Sequence, residues 1–309
     1  MSPRREREMA EPAEFRSYYG KPILKEPAWK QPDVPLYLFL GGVAGASASM
    51  AIVARPAGHA NLARVATVAA GATSVASVAA LIHDLGRPER FLNMLRVFKP
   101  TSPLSVGSWI LAPFSGLASA AALSTITGRL PRLGALAGVS AGLLGPAMCT
   151  YTAVLLADTA TPAWHEGHRQ LPVLFAGSAL TGGAGVALLA VTPAEAVPAR
   201  RLGLVGAAAE LVASSRLEHG LGVVSEPYRT GRAGALLKAS KALTVAGAAL
   251  SVFGRRNRIA SAIAGSAYLA AGLCTRFGVY SAGVESTKDP KYVVVPQRER
   301  MARKANAST

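Results

Sequence analysis

Residues 83–109 read HDLGRPERFLNMLRVFKPTSPLSVGSW, and this stretch decides how the rest of the chain is interpreted. Long runs of Ala, Val, Leu, Gly and Ser with almost no charge lie on both sides of it. The stretch itself collects the charged residues Asp84, Arg87, Glu89, Arg90, Arg96 and Lys99. A polar segment between two apolar runs is typical of a loop at a bilayer surface. We therefore interpret it as a docking and gating loop between two membrane spans.

The composition indicates an integral membrane protein. Half of the 309 residues are hydrophobic and 16% are charged, whereas soluble domains carry about 25% charged residues. The charges crowd into the tails and short segments, which leaves apolar windows of about 20 residues, enough to cross a hydrocarbon core of about 30 Å. We predict an all-α bundle of eight transmembrane helices, at Leu36–Ala54, Asn61–His83, Val106–Ile126, Leu133–Ala157, Leu171–Val191, Leu202–His219, Ala233–Phe253 and Ile259–Val279.

Counting the spans also predicts the organisation of the chain. The predicted parts are an N-terminal surface and partner-binding tail (1–34), the transmembrane domain (35–281) and a C-terminal tail (282–309). Eight spans place both tails on one side of the membrane together with the loops 84–105, 158–170 and 220–232, and we call this end of the bundle the loop face. The opposite end has tight turns with several Arg and almost no acidic residues. Since Lys and Arg are enriched in cytoplasmic loops, we expect the loop face and both termini to be extracytoplasmic.

The net charge of +16 predicts partners other than nucleic acid, because Lys and Arg lie at span ends, where they meet anionic lipid or an acidic protein. The two cysteines, Cys149 and Cys274, each lie in an apolar window and provide no ligand set for a cluster. A membrane haem needs facing pairs of axial histidines. The histidines of this chain lie in loops or at span ends, at His59, His83, His165, His168 and His219. We therefore predict no haem, iron–sulfur cluster or other metal in this chain, so that electrons arrive from outside.

Polar side chains at the loop face form the candidate site. Tyr37 begins the first span, Tyr151 lies near the end of the fourth, and Trp164 lies in the following loop. With His83 and Asp84 at the same level, they are candidates to bind a quinone head group through hydrogen bonds and to deliver protons. The alternative is a belt of interfacial aromatic residues.

Glu210 is a separate candidate, because an ionisable residue inside a span is costly and is often functional. We place it with His83 and Asp84 in a predicted proton path. The alternative for such residues is mutual ion pairing or contact of the charged group with the interface.

The stretch from His83 to Trp109 resembles the signature of the NrfD/PsrC family, whose members are membrane subunits of polysulfide-reductase-like and formate-dehydrogenase-like molybdoenzyme complexes. Further matches begin at Gly41, Tyr151 and Pro162 and continue in the tail from Arg276 to Arg298. The resemblance implies an eight-helix quinone-reactive anchor with a pocket among its first four helices. It also implies a partner iron–sulfur subunit with four clusters and a molybdopterin catalytic subunit.

The resemblance also suggests individual roles. The family's first-helix histidine falls at Tyr37 in this chain, and its fourth-helix tyrosine falls at or next to Tyr151. Arg87 and Arg90, with Trp29 of the N-terminal tail, are candidate partner contacts.

We therefore expect a multi-pass subunit of a prokaryotic cell membrane, inactive alone, that exchanges electrons between its partner and menaquinone or ubiquinone. The alternatives are an ion-translocating or transporter module without quinone chemistry, and a purely structural anchor. The catalytic partner's substrate and the direction of electron flow are set in other polypeptides.

Overall fold

A computed structural model of the chain describes residues 23–87 and 89–307, and the regular structure in these ranges is entirely helical, which confirms the all-α prediction for them. In chain order the helices are α1 Asp33–Ala54, α2 Ala60–Leu85, α3 Glu89–Met94, α4 Pro103–Thr127, α5 Pro131–Ala157, α6 Pro162–Glu166, α7 Leu171–Ala190, α8 Val197–His219, α9 Glu226–Arg229, α10 Gly231–Phe253, α11 Arg258–Lys288 and α12 Lys291–Ala307. A 3-10 turn at Gly222–Ser225 precedes α9. Most of the predicted partner-binding tail, residues 1–22, lies outside the described residues.

Within the described ranges, seven helices are long and apolar enough to cross a membrane: α1, α2, α4, α5, α7, α10 and α11. The remaining predicted span forms α8, which is equally long but is not among the seven. It carries five charged residues, at Arg200, Arg201, Glu210, Arg216 and Glu218. These charges lower its hydropathy, so an eighth crossing stays a prediction.

The long helices pack as two halves, which are joined mainly through α1 and also where α5 and α2 contact α7. One half consists of α1, α2, α4 and α5, and the other consists of α7, α8, α10 and α11; α1 also contacts α7 and α11. Small residues allow this close approach, as the glycine runs predicted. A Cβ on Gly45 would lie 2.6 Å from the carbonyl oxygen of Gly145, and one on Gly183 would lie 2.9 Å from Ala46 Cβ. Larger side chains at these positions would push α1 away from α5 and α7.

The longest helix, α11, extends beyond the predicted span. Its 31 residues measure about 46 Å at 1.5 Å per residue, more than the hydrocarbon thickness of about 30 Å. The chain therefore continues as helix through the predicted boundary at residues 281–282. At this end the Tyr280 hydroxyl donates a hydrogen bond to the Trp29 carbonyl oxygen at 2.5 Å. The start of the described chain and the last turns of α11 thus meet at the loop face.

Candidate functional site

A cavity of about 340 Å³ opens at the loop face, among α1, α2, α4 and α5. This volume lies within the range of about 300–1,000 Å³ that is usual for small-molecule sites. It is lined by Trp29, Val34, Tyr37, Leu38, Leu81, Asp84, Leu85, Arg90, Met94, Leu104, Gly107, Ser108, Leu111, Tyr151, Leu155 and Leu156. Seven of these sixteen residues come from the stretch 83–109. That stretch therefore forms both the surface loop and one wall of the cavity.

Two buried tyrosines reach the cavity from opposite helices. Tyr37 lies in the first turns of α1 and Tyr151 lies near the end of α5, with 3% and 8% of their surfaces exposed. The hydroxyl groups of Tyr37 and Tyr151 are neighbours close enough to influence each other, but the buried Tyr151 hydroxyl makes no hydrogen bond of normal length and angle within the described chain. A buried hydroxyl without a partner costs about 1–3 kcal/mol, so it is usually explained by a ligand or by water. The Tyr151 hydroxyl is therefore a hydrogen-bond donor available inside an apolar cavity.

Local packing fixes the positions of both tyrosines. The Ser77 hydroxyl of α2 donates to the carbonyl oxygen of Tyr37 at 2.9 Å. On the other side, a Cβ on Gly107 of α4 would lie 2.9 Å from ring atoms of Tyr151, so the ring lies directly against that helix. The Ser108 hydroxyl binds the carbonyl oxygens of Ser105 and Met94, which connects α4 to α3. The cavity walls are therefore held by contacts between helices.

The segment 26–32 crosses the loop face beside the cavity, and we call it the N-terminal strap. The backbone amide of Lys30 donates to an Asp84 carboxylate oxygen at 2.8 Å. The side-chain amide of Gln31 donates from Nε2 to the Ser281 hydroxyl at 3.4 Å. Trp29 stacks on Trp164 with ring centroids 5.7 Å apart. The strap thus connects Asp84, on the rim of the cavity, to α11 in the other half of the bundle.

Arg90 contributes a positive charge to the cavity lining. Its guanidinium donates a hydrogen bond to the carbonyl oxygen of Leu85 at 3.1 Å. Both Arg87 and Arg90 are exposed on the loop face. The predicted interface residue Trp29 is half-buried and lines the cavity. Of the three predicted partner residues, Arg90 and Trp29 therefore line the cavity, and Arg87 is exposed on the same loop.

His83 and Trp164 are placed differently from the other predicted site residues. His83 has 78% of its side chain exposed, and its Nδ1 lies 2.7 Å from an Asp33 carboxylate oxygen, outside the cavity lining. Trp164 is fully buried and donates from Nε1 to the carbonyl oxygen of Val279 at 2.8 Å. It reaches the cavity only through its stack with Trp29. Of the five predicted quinone residues, the structure brings Tyr37, Asp84 and Tyr151 together.

Glu210 lies in the other half of the bundle, away from the cavity lining. Its carboxylate accepts hydrogen bonds from Thr275 at 2.6 Å, Thr181 at 3.3 Å and Ser240 at 3.4 Å. Among the described residues, the predicted path from His83 through Asp84 to Glu210 is not a continuous set of contacts.

Several residues that shape the site were missed from the sequence. Gly107 and Ser108 belong to the quoted stretch, so their position could have suggested them, whereas Lys30 contributes a backbone amide, which no residue type indicates.

No group of three or more His, Cys, Asp or Glu side chains is arranged to hold a metal ion within residues 23–87 and 89–307. The haem-free interpretation stays a prediction.

The fold and the cavity define a multi-pass helical membrane protein with a small-molecule site at one end of its first four long helices. A family model described as "Polysulphide reductase, NrfD" matches residues 26–200, more than half of the chain. The chain belongs to this family, which confirms the resemblance seen in the sequence and indicates a membrane subunit of a reductase complex. A comparison with curated proteins gives no match.

Proposed function

We propose that this chain is a quinone-reactive subunit, which passes electrons between a partner iron–sulfur protein and the quinone pool of the membrane. The observation that carries the proposal is the unpartnered Tyr151 hydroxyl in the cavity at the loop face. A quinone contributes two carbonyl acceptors and, when bound, accepts two electrons and two protons. Menaquinone and ubiquinone both have this chemistry.

The cavity residues match such a ligand. Tyr151 donates a hydrogen bond to one carbonyl oxygen of the head group, and Tyr37 lies close enough to share this role. Leucine side chains cover the remaining walls and exclude water from the ring, at Leu81, Leu85, Leu104, Leu111, Leu155 and Leu156. A largely apolar cavity with a few converging polar groups is the usual form of a cofactor or substrate site.

Asp84 is the proton-handling group at the cavity, in this proposal. Its carboxylate lines the cavity and also faces the strap. The adjacent His83 is exposed to water and paired with Asp33. Protons therefore pass between water and the cavity by way of His83 and Asp84, over the short distance at the loop face.

The partner binds the loop face, because the cavity, the strap and the exposed Arg87 and Arg90 all lie there. An iron–sulfur subunit with four clusters, bound here, brings its last cluster close to the cavity. A molybdopterin subunit supplies the catalytic site, and the whole assembly lies on the extracytoplasmic side of the cell membrane.

The test compares two conservative variants of the assembled complex in lipid nanodiscs. Tyr151→Phe removes the hydroxyl at the cavity, whereas Tyr268→Phe removes an unpartnered buried hydroxyl outside the cavity lining. We expect only Tyr151→Phe to weaken the binding of a quinone analogue, by about tenfold. The activity of the partner subunits with a dye as the artificial electron carrier, which we call dye-linked activity, is expected to stay at the wild-type level in both variants. Equal quinone affinity in the wild type and Tyr151→Phe would contradict the assignment.

The buried carboxylate of Glu210 favours a second candidate function, an ion- or proton-translocating module without quinone chemistry. The two candidates differ in what the isolated chain does. A translocating module moves ions or protons across liposomes without a partner, whereas a quinone-reactive subunit shows only quinone binding. Quinone that copurifies with the complex would favour the first proposal over this one and over a purely structural anchor.

A further inference from the structure

A buried polar cluster occupies the middle of the half formed by α7, α8, α10 and α11. Glu210 is 2% exposed and accepts hydroxyl hydrogen bonds from α7, α10 and α11, through Thr181, Ser240 and Thr275. These hydroxyls act as neutral donors and leave the carboxyl group without a direct ion pair. An ionisable side chain at this depth is costly, and in membrane proteins it usually marks an ion or proton route.

A row of polar groups connects this cluster to the loop face. Glu210, Ser214 and Glu218 follow one another at intervals of four residues along α8, which places them on one side of the helix. The Ser214 hydroxyl donates to Glu218 at 3.4 Å. Glu218 is paired with Lys241 at 2.6 Å, and Lys241 is about one-third exposed. The row therefore leads from Glu218, one residue before the end of α8 at the loop face, toward the buried carboxyl group of Glu210.

Arg276 connects the same cluster to the wall of the cavity. Its guanidinium is 1% exposed and donates to the Leu38 carbonyl oxygen of α1 at 3.4 Å and to the Phe175 carbonyl oxygen of α7 at 3.0 Å. Leu38 lines the cavity, and Arg276 and Glu210 interact electrostatically. Arg276 Nη1 has no hydrogen-bond partner within the described chain. A buried cation with an unused donor thus lies between the cavity and Glu210.

We propose that Glu210 is a proton-loading site, supplied from the loop face through Lys241, Glu218 and Ser214 and coupled to the charge in the cavity through Arg276. The coupling rests on the proposed quinone function. The step is a proton transfer alone: an O–H bond forms on the Glu210 carboxylate with a proton from water, while the partner's iron–sulfur cluster supplies the electron that changes the charge in the cavity. A charge in the cavity, Arg276 and Glu210 interact more strongly here than they would in water, because the dielectric constant of the bundle interior is low.

The charged groups that face Glu210 limit what else can act on it. α7 contributes no charged residue, and α10 contributes Lys241 and the exposed Lys238. α11 contributes Arg276 and the titratable Tyr268, which interacts electrostatically with Glu210. On α8 itself the nearest acidic residue is Glu218. Arg276 is the only one of these cations that also contacts a helix of the cavity half.

The experiment is infrared difference spectroscopy of the assembled complex in nanodiscs, with the quinone pool reduced and then oxidised. We expect a carboxyl C=O band that changes with the redox state in the wild type and disappears in Glu210→Gln, a variant that keeps the hydrogen-bonding shape. The control is Glu195→Gln, because Glu195 binds Asn61 at the opposite end of the bundle. The control is expected to keep the band.

Two further measurements separate this inference from the proposed function. Glu210→Gln is expected to bind a quinone analogue as tightly as the wild type, since Glu210 does not line the cavity. Glu218→Gln is expected to slow the appearance of the band by about tenfold or more. Quinone reduction without a Glu210 band would overturn this inference alone, whereas a wild-type complex that fails to reduce quinone would overturn both.

Discussion

Gly107 of α4 lies so close to Tyr151 of α5 that a Cβ at position 107 would be 2.9 Å from two carbon atoms of the tyrosine ring. The ring and the helix backbone are thus in direct contact at the cavity wall. The position of the Tyr151 hydroxyl depends on this contact.

Gly107→Ala is expected to displace the Tyr151 ring, because overpacking of a tight site costs about 1–3 kcal/mol. The affinity for a quinone analogue should fall by about tenfold. Gly116→Ala on the same helix is the matched control, since a Cβ there meets no atom within 4 Å. A fluorescence titration with the assembled complex measures both. Unchanged affinity in Gly107→Ala would show that the ring position is unimportant for binding.

Asp84→Asn is expected to lower quinone-linked turnover by about 100-fold, the scale of a lost acid–base group. The amide oxygen still accepts the Lys30 hydrogen bond, so the strap keeps its position. Asp158→Asn serves as the control because Asp158 is exposed at the loop face and does not line the cavity. Dye-linked activity should be unchanged in both variants. Equal losses in the two variants would remove the special role of Asp84.

Trp29→Ala is expected to release the strap, because the stack with Trp164 contributes about 0.5–1.5 kcal/mol beyond buried area. Hydrogen exchange should become faster at the Lys30 amide, which is bound to Asp84. The control is Trp109→Ala, because within the described chain the Trp109 ring packs against Phe98 and makes no ring contact with the strap. Its exchange at Lys30 should match that of the wild type, whereas unchanged exchange in Trp29→Ala would argue against a strap held by this stack.

Arg276→Lys is expected to destabilise the bundle, since lysine cannot reach the carbonyl oxygens of Leu38 and Phe175 together or stack on the Phe175 ring. Hydrogen bonds from a charged group contribute about 1.5–3 kcal/mol, so the midpoint of thermal unfolding should fall measurably. Arg232→Lys changes an exposed arginine and should leave the midpoint unchanged. Equal midpoints in the two variants would show that Arg276 does not hold the halves together.

The contact between α9 and α12 is expected to depend on pH. The hydrogen bond with Lys291 lowers the pKa of Glu226 below its usual 4.5 and raises the pKa of Lys291 above its usual 10.5. The stabilisation from Glu226 is therefore complete above pH 4.5 and is lost as the pH falls through the lowered pKa. That from Lys291 is complete below pH 10.5 and is lost at higher pH.

Hydrogen exchange at the start of α12, corrected for the intrinsic effect of pH, measures this dependence. Lys291→Met should remove the acidic limb, meaning the loss of protection from exchange at low pH, because Glu226 then loses its 2.9 Å partner. Lys288→Met removes a neighbouring lysine that pairs with Glu285 and should keep the limb. An acidic limb that persists in Lys291→Met would assign it to another group.

The sequence by itself determined the class of the protein, seven of its long apolar helices and the loop around which the site is built. Charge-free windows of about 20 residues specify membrane helices, since a helix satisfies its backbone hydrogen bonds within one segment and about 20 residues match the bilayer thickness. The loop 83–109 was recognisable for the same reason, as the place where charge returns between two such windows.

Only the tertiary structure decided which side chains meet. His83 and Trp164 both lie near the loop face, as the sequence predicted. However, the His83 side chain is exposed, whereas the Trp164 side chain is buried against α11. Arg276, which could equally have contacted the interface, instead lies between the two halves. The physical reason is that lipid and the bundle interior are both apolar, so the sequence of a membrane helix contains little record of its rotation about its own axis. Contacts between helices, such as Gly107 with Tyr151, set that rotation and with it the composition of the cavity.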